Sequence, residues 1–378
     1  MNLTTKQQIR VDIISKYLGG GLHYEDACNA LEISERQFRR IVKAFREDGI
    51  QSVFHGNKKR TPCNKISSGL RFKIINLYRD RYFGLNLVHF IEKLKECDEL
   101  EKIPSYSTIR NILLSSCLIS PQVKRSRKSR PMRKRYEKEG IMVQIDGSHH
   151  RWFSHKLPHC LTLAMDDATG KILGAKFTKT ETTFASMEVV KKIIEKHGTF
   201  QILYSDNAGI YGGGKRSGFS NMNRAMRELD IIPIQANSPQ AKGRVERAFR
   251  TLQSRLISEL RLNKIESCEE ANRFLEDVYI DKFNAQFAVE PESKETAYKP
   301  LSGKVDLNET FTVRTSRVVQ SGEILSIDGN YLLLDHGFSE SLFKKQVEVR
   351  KYPNGDTRVF YHGKELEWRY FEKGVSAA

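Results

Sequence analysis

The chain is short of several features that would place it early. No apolar stretch approaches the ~20 residues that a bilayer-spanning helix needs, and the opening MNLTTKQQIR has no apolar core of the kind a secretory signal carries. A membrane role is therefore not expected, and a cytoplasmic protein is. Its cysteines, Cys28, Cys63, Cys97, Cys117, Cys160 and Cys268, are scattered, with no C-x-x-C pair and no matching histidine spacing. Neither a disulfide framework nor a zinc finger is indicated. Acidic residues are also under-represented: 46 Asp and Glu stand against 63 Lys and Arg, a formal charge of +17 over 378 residues. Such an excess predicts a polyanionic partner, because cations that neutralise phosphates release condensed counterions. Charge alone does not separate DNA from RNA or from a membrane surface.

The length suggests two to four domains. Residues 5–48 read as three helices. Ile9, Ile13, Ile14 and Tyr17 form the stripe of the first, Tyr24 to Leu31 the second, and Ser34-Glu35-Arg36-Gln37 caps a third that ends at Gly49. On the third, Phe38, Ile41, Val42 and Phe45 share one face, while Arg36, Arg39, Arg40 and Lys43 lie largely on the other. This is the layout of a helix-turn-helix, whose second helix reads the major groove from its N-terminal residues, Gln37 among them here. The bland alternative is a three-helix bundle with a solvated basic face. We assign 1–60 to this domain, with Lys58, Lys59 and Arg60 suited to a phosphate backbone, and 61–123 to a second helical module with helices at 70–82, 87–100 and 107–116. In Lys124 to Lys138, nine of fifteen residues are basic, including Lys124, Arg125, Arg127, Lys128 and Arg130. That composition predicts an extended linker able to lie along DNA.

Beyond it the pattern becomes α/β. A strand at 141–145, a hairpin of 160–165 and 171–177, a helix at 183–197, a strand at 201–204, a helix at 219–229, an edge strand at 231–234 and a helix at 242–262 give the order βββαβαβα. That is the order of an RNase H-like core, expected over 139–290. Short β runs with turns at Asp328-Gly329 and 353–356 predict a small SH3-like barrel over 300–372. The fold class is therefore multidomain: all-α modules, an α/β core, a β-barrel.

Three carboxylates stand out. Asp146 follows the first strand, Asp206 follows the fourth, and Glu246 lies one turn into the last helix, with 59 and 39 residues between them. If strands one and four are neighbours, both aspartates emerge at one sheet end, where a crossing helix can bring the glutamate. Oxygen-only ligands select hard ions, so Mg²⁺ or Mn²⁺ is expected, as a pair ~3.5–4 Å apart that clamps an in-line displacement at phosphorus. Separately, each residue has a structural alternative: a strand-end acceptor, a turn, an i,i+4 partner for Arg250. Asp166 and Asp167 fall at the hairpin turn, at the opposite end, and read as turn residues. Lys242, Arg244, Arg247 and Arg250 are candidates for phosphate contact, and Gln240 lies in the loop ahead of them.

The segments VQIDGSHHRWF (143–153), MDDATGKILG (165–174), ETTFA (181–185), LYSDNAG (203–209), ANSPQAKGRVERAFRTLQ (236–253) and SERQFRRIVKAFREDG (34–49) resemble DDE transposases with a retroviral-integrase-type core, most closely the ISNCY group of bacterial insertion sequences. The resemblance implies a catalytic and metal-binding triad of Asp146, Asp206 and Glu246, and helices that bind the terminal inverted repeats of a mobile element. It also implies a second DNA, the target, an oligomer that holds two ends, and a nucleoid-associated location in a bacterium. His150 and Trp152 match its motif as possible neighbours of the site; the plain reading is an orienting histidine and a core tryptophan. Two departures stand: Gln253 occupies a position where many relatives carry Lys or Arg, and the His/Cys zinc module of retroviral integrases is missing. The competing readings are a domesticated regulator with an inactive core and a nuclease that only hydrolyses.

Overall fold

The computed structural model describes residues 3–54, 62, 65–120, 133–154, 157–206, 221–235, 243–301, 303, 305–335, 337 and 340–371. Lys58 to Arg60, Lys124 to Arg130, Gln240 and Lys242 lie outside the described residues. The chain divides into two compact units, 1–74 and 75–378.

In the first unit, helices α1 (Thr5–Leu18), α2 (Tyr24–Leu31) and α3 (Glu35–Asp48) close on Ile14, Ala27, Cys28, Phe38 and Val42. Tyr17 and Tyr24 meet the Phe38 ring edge-on at 5.1 and 5.4 Å, the geometry that aromatic quadrupoles favour. Ser34 caps α3 by accepting the Gln37 amide at 3.4 Å. The α1 stripe is rotated from the expected one: Ile9 is 47% exposed, and Val11 is buried instead. Arg36, Gln37, Arg39, Arg40 and Lys43 are all exposed. Helix α4 (Ser68–Asn76) carries the chain across the unit boundary.

That boundary divides the segment expected as a second module. A π-helical turn at Leu77–Arg81, then α5 (Leu87–Glu96) and α6 (Tyr106–Ser115), belong to the same unit as the sheet. Helix α5 ends before the expected Leu100, because Asp98 turns left-handed at φ 46°.

The central sheet comprises β1 (Met142–His150), β2 (His159–Asp166), β3 (Ile172–Thr178), β4 (Ile202–Ser205) and β5 (Ile232–Gln235), in the order β3-β2-β1-β4-β5. The first three are antiparallel meander strands, and β4 and β5 run parallel to β1. Helices α7 (Thr183–His197) and α8 (Asn221–Glu228) cover one face over Val143, Ile145 and Leu203. Helix α9 (Gly243–Leu262) covers the other, where Val245, Leu252 and Leu256 pack with Leu161 and Leu163. Because strand side chains alternate, the odd positions of β1 face α7, and Gln144, Asp146 and Ser148 face α9.

Helix α10 (Cys268–Phe274), a π-helical turn at Leu275–Tyr279 and α11 (Ile280–Phe287) return along the outer strand. Two asparagines cover its open edge: Asn272 exchanges hydrogen bonds with Phe177 (2.6 and 3.1 Å) and Asn284 with Ile172 (2.7 and 2.9 Å). An exposed edge invites further strand pairing, and these amides occupy it.

After α12 (Leu307–Thr310) comes a second, wholly antiparallel sheet of β6 (Val313–Val318), β7 (Ile324–Ile327), β8 (Asn330–Asp335), β9 (Gln346–Lys351), β10 (Thr357–Tyr361) and β11 (Lys364–Phe371). Its order is β6-β9-β10-β11-β8-β7, and its edge strands approach one another, so it nearly closes around Leu325, Val349 and Val359. The tight β7–β8 hairpin turns on Asp328 (φ 50°) and Gly329 (φ 84°), the positive pair that a two-residue hairpin of matching twist requires.

Candidate active site

Strand β1 does not stop at Ile145, as expected, but runs on to His150, so Asp146 sits within it, opposite Leu163. On its other side β4 pairs in parallel, with Gln144 opposite Tyr204. Two residues further along the chain in each case lie Asp146, still within β1, and Asp206, one residue past the end of β4. Parallel register therefore brings the two aspartates out together at one sheet end. Both are half-buried.

A further carboxylate that sequence reading passes over lies within electrostatic reach of them. Glu181 precedes the Thr182 cap of α7 and approaches from the α7 side. Burial raises its carboxyl above the ordinary range, and the negative charges of Asp206 and Asp146 add to the rise, with His149 opposing. Gly147 makes the approach possible: a Cβ there would fall 2.6 Å from Glu181 Oε1 and 3.3 Å from Cys160 Sγ. The only local signal was the position of Glu181 immediately ahead of a helix cap in a stretch already singled out.

Helix α9 is tied to β1 at two levels. At one, Gln253 Nε2 donates to Ser148 Oγ at 3.3 Å. At the other, Arg244 reaches Asp167, which also accepts Gln144 Nε2 at 2.5 Å. Along α9, Glu246 lies between these ties, two turns before Gln253 and on the same helical edge. It is half-exposed, with Arg250 3.9 Å away.

The other candidates sort by where they point. Arg244, expected to meet phosphate, is instead spent inside the protein, on Asp167 and on the Arg133 carbonyl at 2.6 Å. Arg255 is buried against Glu92 at 2.5 and 3.2 Å, so it does not replace the missing cation at Gln253. Arg247 and Arg250 are exposed. Trp152 is fully buried in the core beneath α9 and donates its indole N–H to the Ser148 carbonyl at 3.1 Å. His150 packs its ring edgewise on Trp152 at 5.5 Å.

Asp166 and Asp167 lie at the opposite end of the sheet, as expected, with Asp166 level with Val143. Asp166 holds the turn through the Thr169 amide and hydroxyl (both 2.8 Å) and the Gly140 amide (3.0 Å). Asp167 does more than turn. It is fully buried and binds Arg133, Arg244, Gln144 and the Tyr136 amide.

A meander of three strands followed by two parallel ones, in the order β3-β2-β1-β4-β5 with helices on both faces, is an RNase H-like arrangement. The winged helix-turn-helix family matches residues 10–71. The protein y4bF of Sinorhizobium fredii, which bears a transposase's name, is 33% identical over 372 residues, covering 96% of this chain and 80% of that protein. The transposase for insertion sequence IS1202 of Streptococcus pneumoniae is 31% identical over 387 residues, covering 90% and 82%. Among solved structures, the HTLV-2 integrase catalytic core domain in complex with magnesium (trimeric form) is 17% identical, with a TM-score of 0.29, over 37% of this chain and 88% of that one. A chain of the simian T-cell lymphotropic virus intasome is 15% identical, with a TM-score of 0.33, over 74% and 95%. By its kinship over most of its length, the chain belongs to the insertion-sequence transposases.

Proposed function

We propose that this transposase binds the ends of a mobile DNA element through α3 and cuts and joins DNA at Asp146, Asp206 and Glu246. The observation that carries the reading is the register of β1 against β4, which delivers two aspartates to one sheet end beside a helix bearing a glutamate.

The donor set suits a hard divalent cation. It is all oxygen, and the neighbouring Glu181 is raised by burial, with the charges of Asp206 and Asp146 adding to the rise. Asp146, Asp206 and Glu246 would hold Mg²⁺ or Mn²⁺, one ion or two, which when bound neutralises phosphate charge and activates an attacking oxygen. The protein's own part is positional. Strand pairing fixes Asp146 on rigid backbone, Asp206 follows directly on the paired strand β4, and the Gln253–Ser148 and Arg244–Asp167 ties hold the register of α9. Exposed Arg247 and Arg250 offer phosphate contacts beside the site, and Arg36, Gln37, Arg39, Arg40 and Lys43 offer a reading face on α3. An oligomer would hold two element ends and a target duplex.

The test is to incubate the protein with Mg²⁺ and DNA carrying the flanking element ends, then map nicks and joints. Wild-type protein should give 3′-end cleavage and joined products. Glu246→Gln should give neither while still shifting the end fragment. Cleavage by that variant at the wild-type rate would remove Glu246 from the site.

A further inference from the structure

Outside the three carboxylates there is a second cluster of ligand-type side chains, and its chemistry is different. His149 on β1, Cys160 on β2 and Glu181 ahead of α7 each present a donor atom, and the three atoms lie within 4.8 Å of one another. His149 and Cys160 are directly paired across the β1–β2 ladder, and Glu181 is 3.7 Å from His149 Nε2. The cradle depends on Gly147, since a Cβ at that position would occupy the space that the glutamate oxygen and the cysteine sulfur share. We propose that His149, Cys160 and Glu181 form a binding site for a thiophilic divalent cation of the zinc and cadmium type, separate from the hard-ion site on the opposite face of β1.

The donor set argues for this class of ion. One sulfur, one imidazole nitrogen and one carboxylate oxygen leave a fourth tetrahedral position open, the set-up of a zinc site with an exchangeable ligand. Hard ions gain little from sulfur. The neighbouring charges are favourable too, because Asp146 and Asp206 act on Glu181 and increase the pull on any cation placed beside it. Without an ion the Cys160 thiol keeps its proton, pushed up to about 12 by burial and by the charges of Glu181 and Asp146. Binding is therefore an exchange: the S–H bond breaks, a sulfur–metal bond forms, and the proton leaves to solvent. An ion seated there would also change the field at both aspartates, so thiophilic metals should disturb chemistry at the neighbouring site without sharing its ligands.

The experiment needs no DNA and no cleavage. The full chain is titrated with Cd²⁺ while thiolate-to-cadmium charge-transfer absorption is followed, in Mg²⁺ at a hundredfold excess over Cd²⁺. The expected result is a saturable signal that Mg²⁺ does not displace. Cys160→Ser should remove one equivalent of it, and His149→Ala should weaken that equivalent tenfold or more. His149 is 55% exposed, so its removal leaves the fold intact even if the cysteine variant does not fold. Asp146→Asn should keep the signal, which separates this site from the proposed catalytic one. An unchanged titration in His149→Ala, or displacement of the signal by Mg²⁺, would overturn the assignment.

Discussion

The two ends of the central sheet carry the same residue type in opposite circumstances. At one end Asp166 and Asp167 are fully buried and surrounded by donors: backbone amides, a threonine, Gln144 and two arginines. At the other, Asp146, Asp206 and Glu181 are half-buried; burial raises Glu181 and the charges of Asp206 and Asp146 add to the rise, whereas burial raises Asp166 against the amides and hydroxyl that it accepts. A buried carboxylate saturated by cations and amides is holding structure together. Half-buried carboxylates gathered against like charge are relieved by a proton or by a cation from outside. Proximity to a turn or a strand end did not separate the two cases; the partners did.

The sharpest way to break this comparison is to neutralise one carboxylate at each end. Asp146→Asn and Asp206→Asn should each lower DNA cleavage by roughly 10³-fold, as loss of a preorganised charge at a reacting centre does, with the melting temperature unchanged or slightly raised. Asp167→Ala should do the reverse. It leaves Arg133 and Arg244 without their shared acceptor, costing about 3 kcal/mol, the low end for a broken buried pair because Arg133 is 42% exposed. For a unit of about 300 residues that is a drop of roughly 5 °C in Tm by calorimetry. An Asp167→Ala protein as stable as wild type would show that the buried end contributes nothing.

Another carboxylate extends the comparison to a buried, charged site where α9 meets α5. Glu259 on α9 takes hydrogen bonds from His89 at 2.9 Å and Lys93 at 2.8 Å, with Lys282 3.5 Å away. Burial opposes its charge, but these partners prevail and hold its carboxyl at about 2. The folded value lies below the ordinary 4.5, so the stabilisation is complete above pH 4.5 and is lost as pH falls toward 2. Glu259→Gln should flatten the acid limb of urea-unfolding stability across that window, an effect of about 2–3 kcal/mol at most. A limb as steep in the variant as in wild type would place the acid sensitivity elsewhere.

The smallest effect expected is at the sheet edge. Asn272→Ala removes two hydrogen bonds to β3 and should cost about 1–2 kcal/mol. Hydrogen exchange at the Phe177 amide should accelerate more than at Leu161 in the sheet interior; equal acceleration would mean the clamp is incidental.

Much of the core was legible because its signals are local. The helix at 183–197 matched residue for residue, since Thr182 caps it and Gly198 ends it. Asp146 and Asp206 were legible because a carboxylate at the end of an apolar run is unusual enough to notice. Glu181 was not, because a lone glutamate before a helix cap looks like any other. Arg244 illustrates a related point: a cation next to a candidate site is equally consistent with a phosphate and with a buried aspartate, and its partner Asp167 becomes visible only in the packing of α9 against the hairpin turn.

Sequence by itself determined the order of strands and helices, the basic character of α3 and the identity of the acidic residues at strand ends, because periodicity, capping and charge are properties of neighbours along the chain. The tertiary structure decided which carboxylates meet, which arginines remain outside, and that a histidine, a cysteine and a glutamate from three separate elements share one cradle. Those outcomes depend on strand register and on which helix face is buried, and each is set by the packing of residues far apart in the chain.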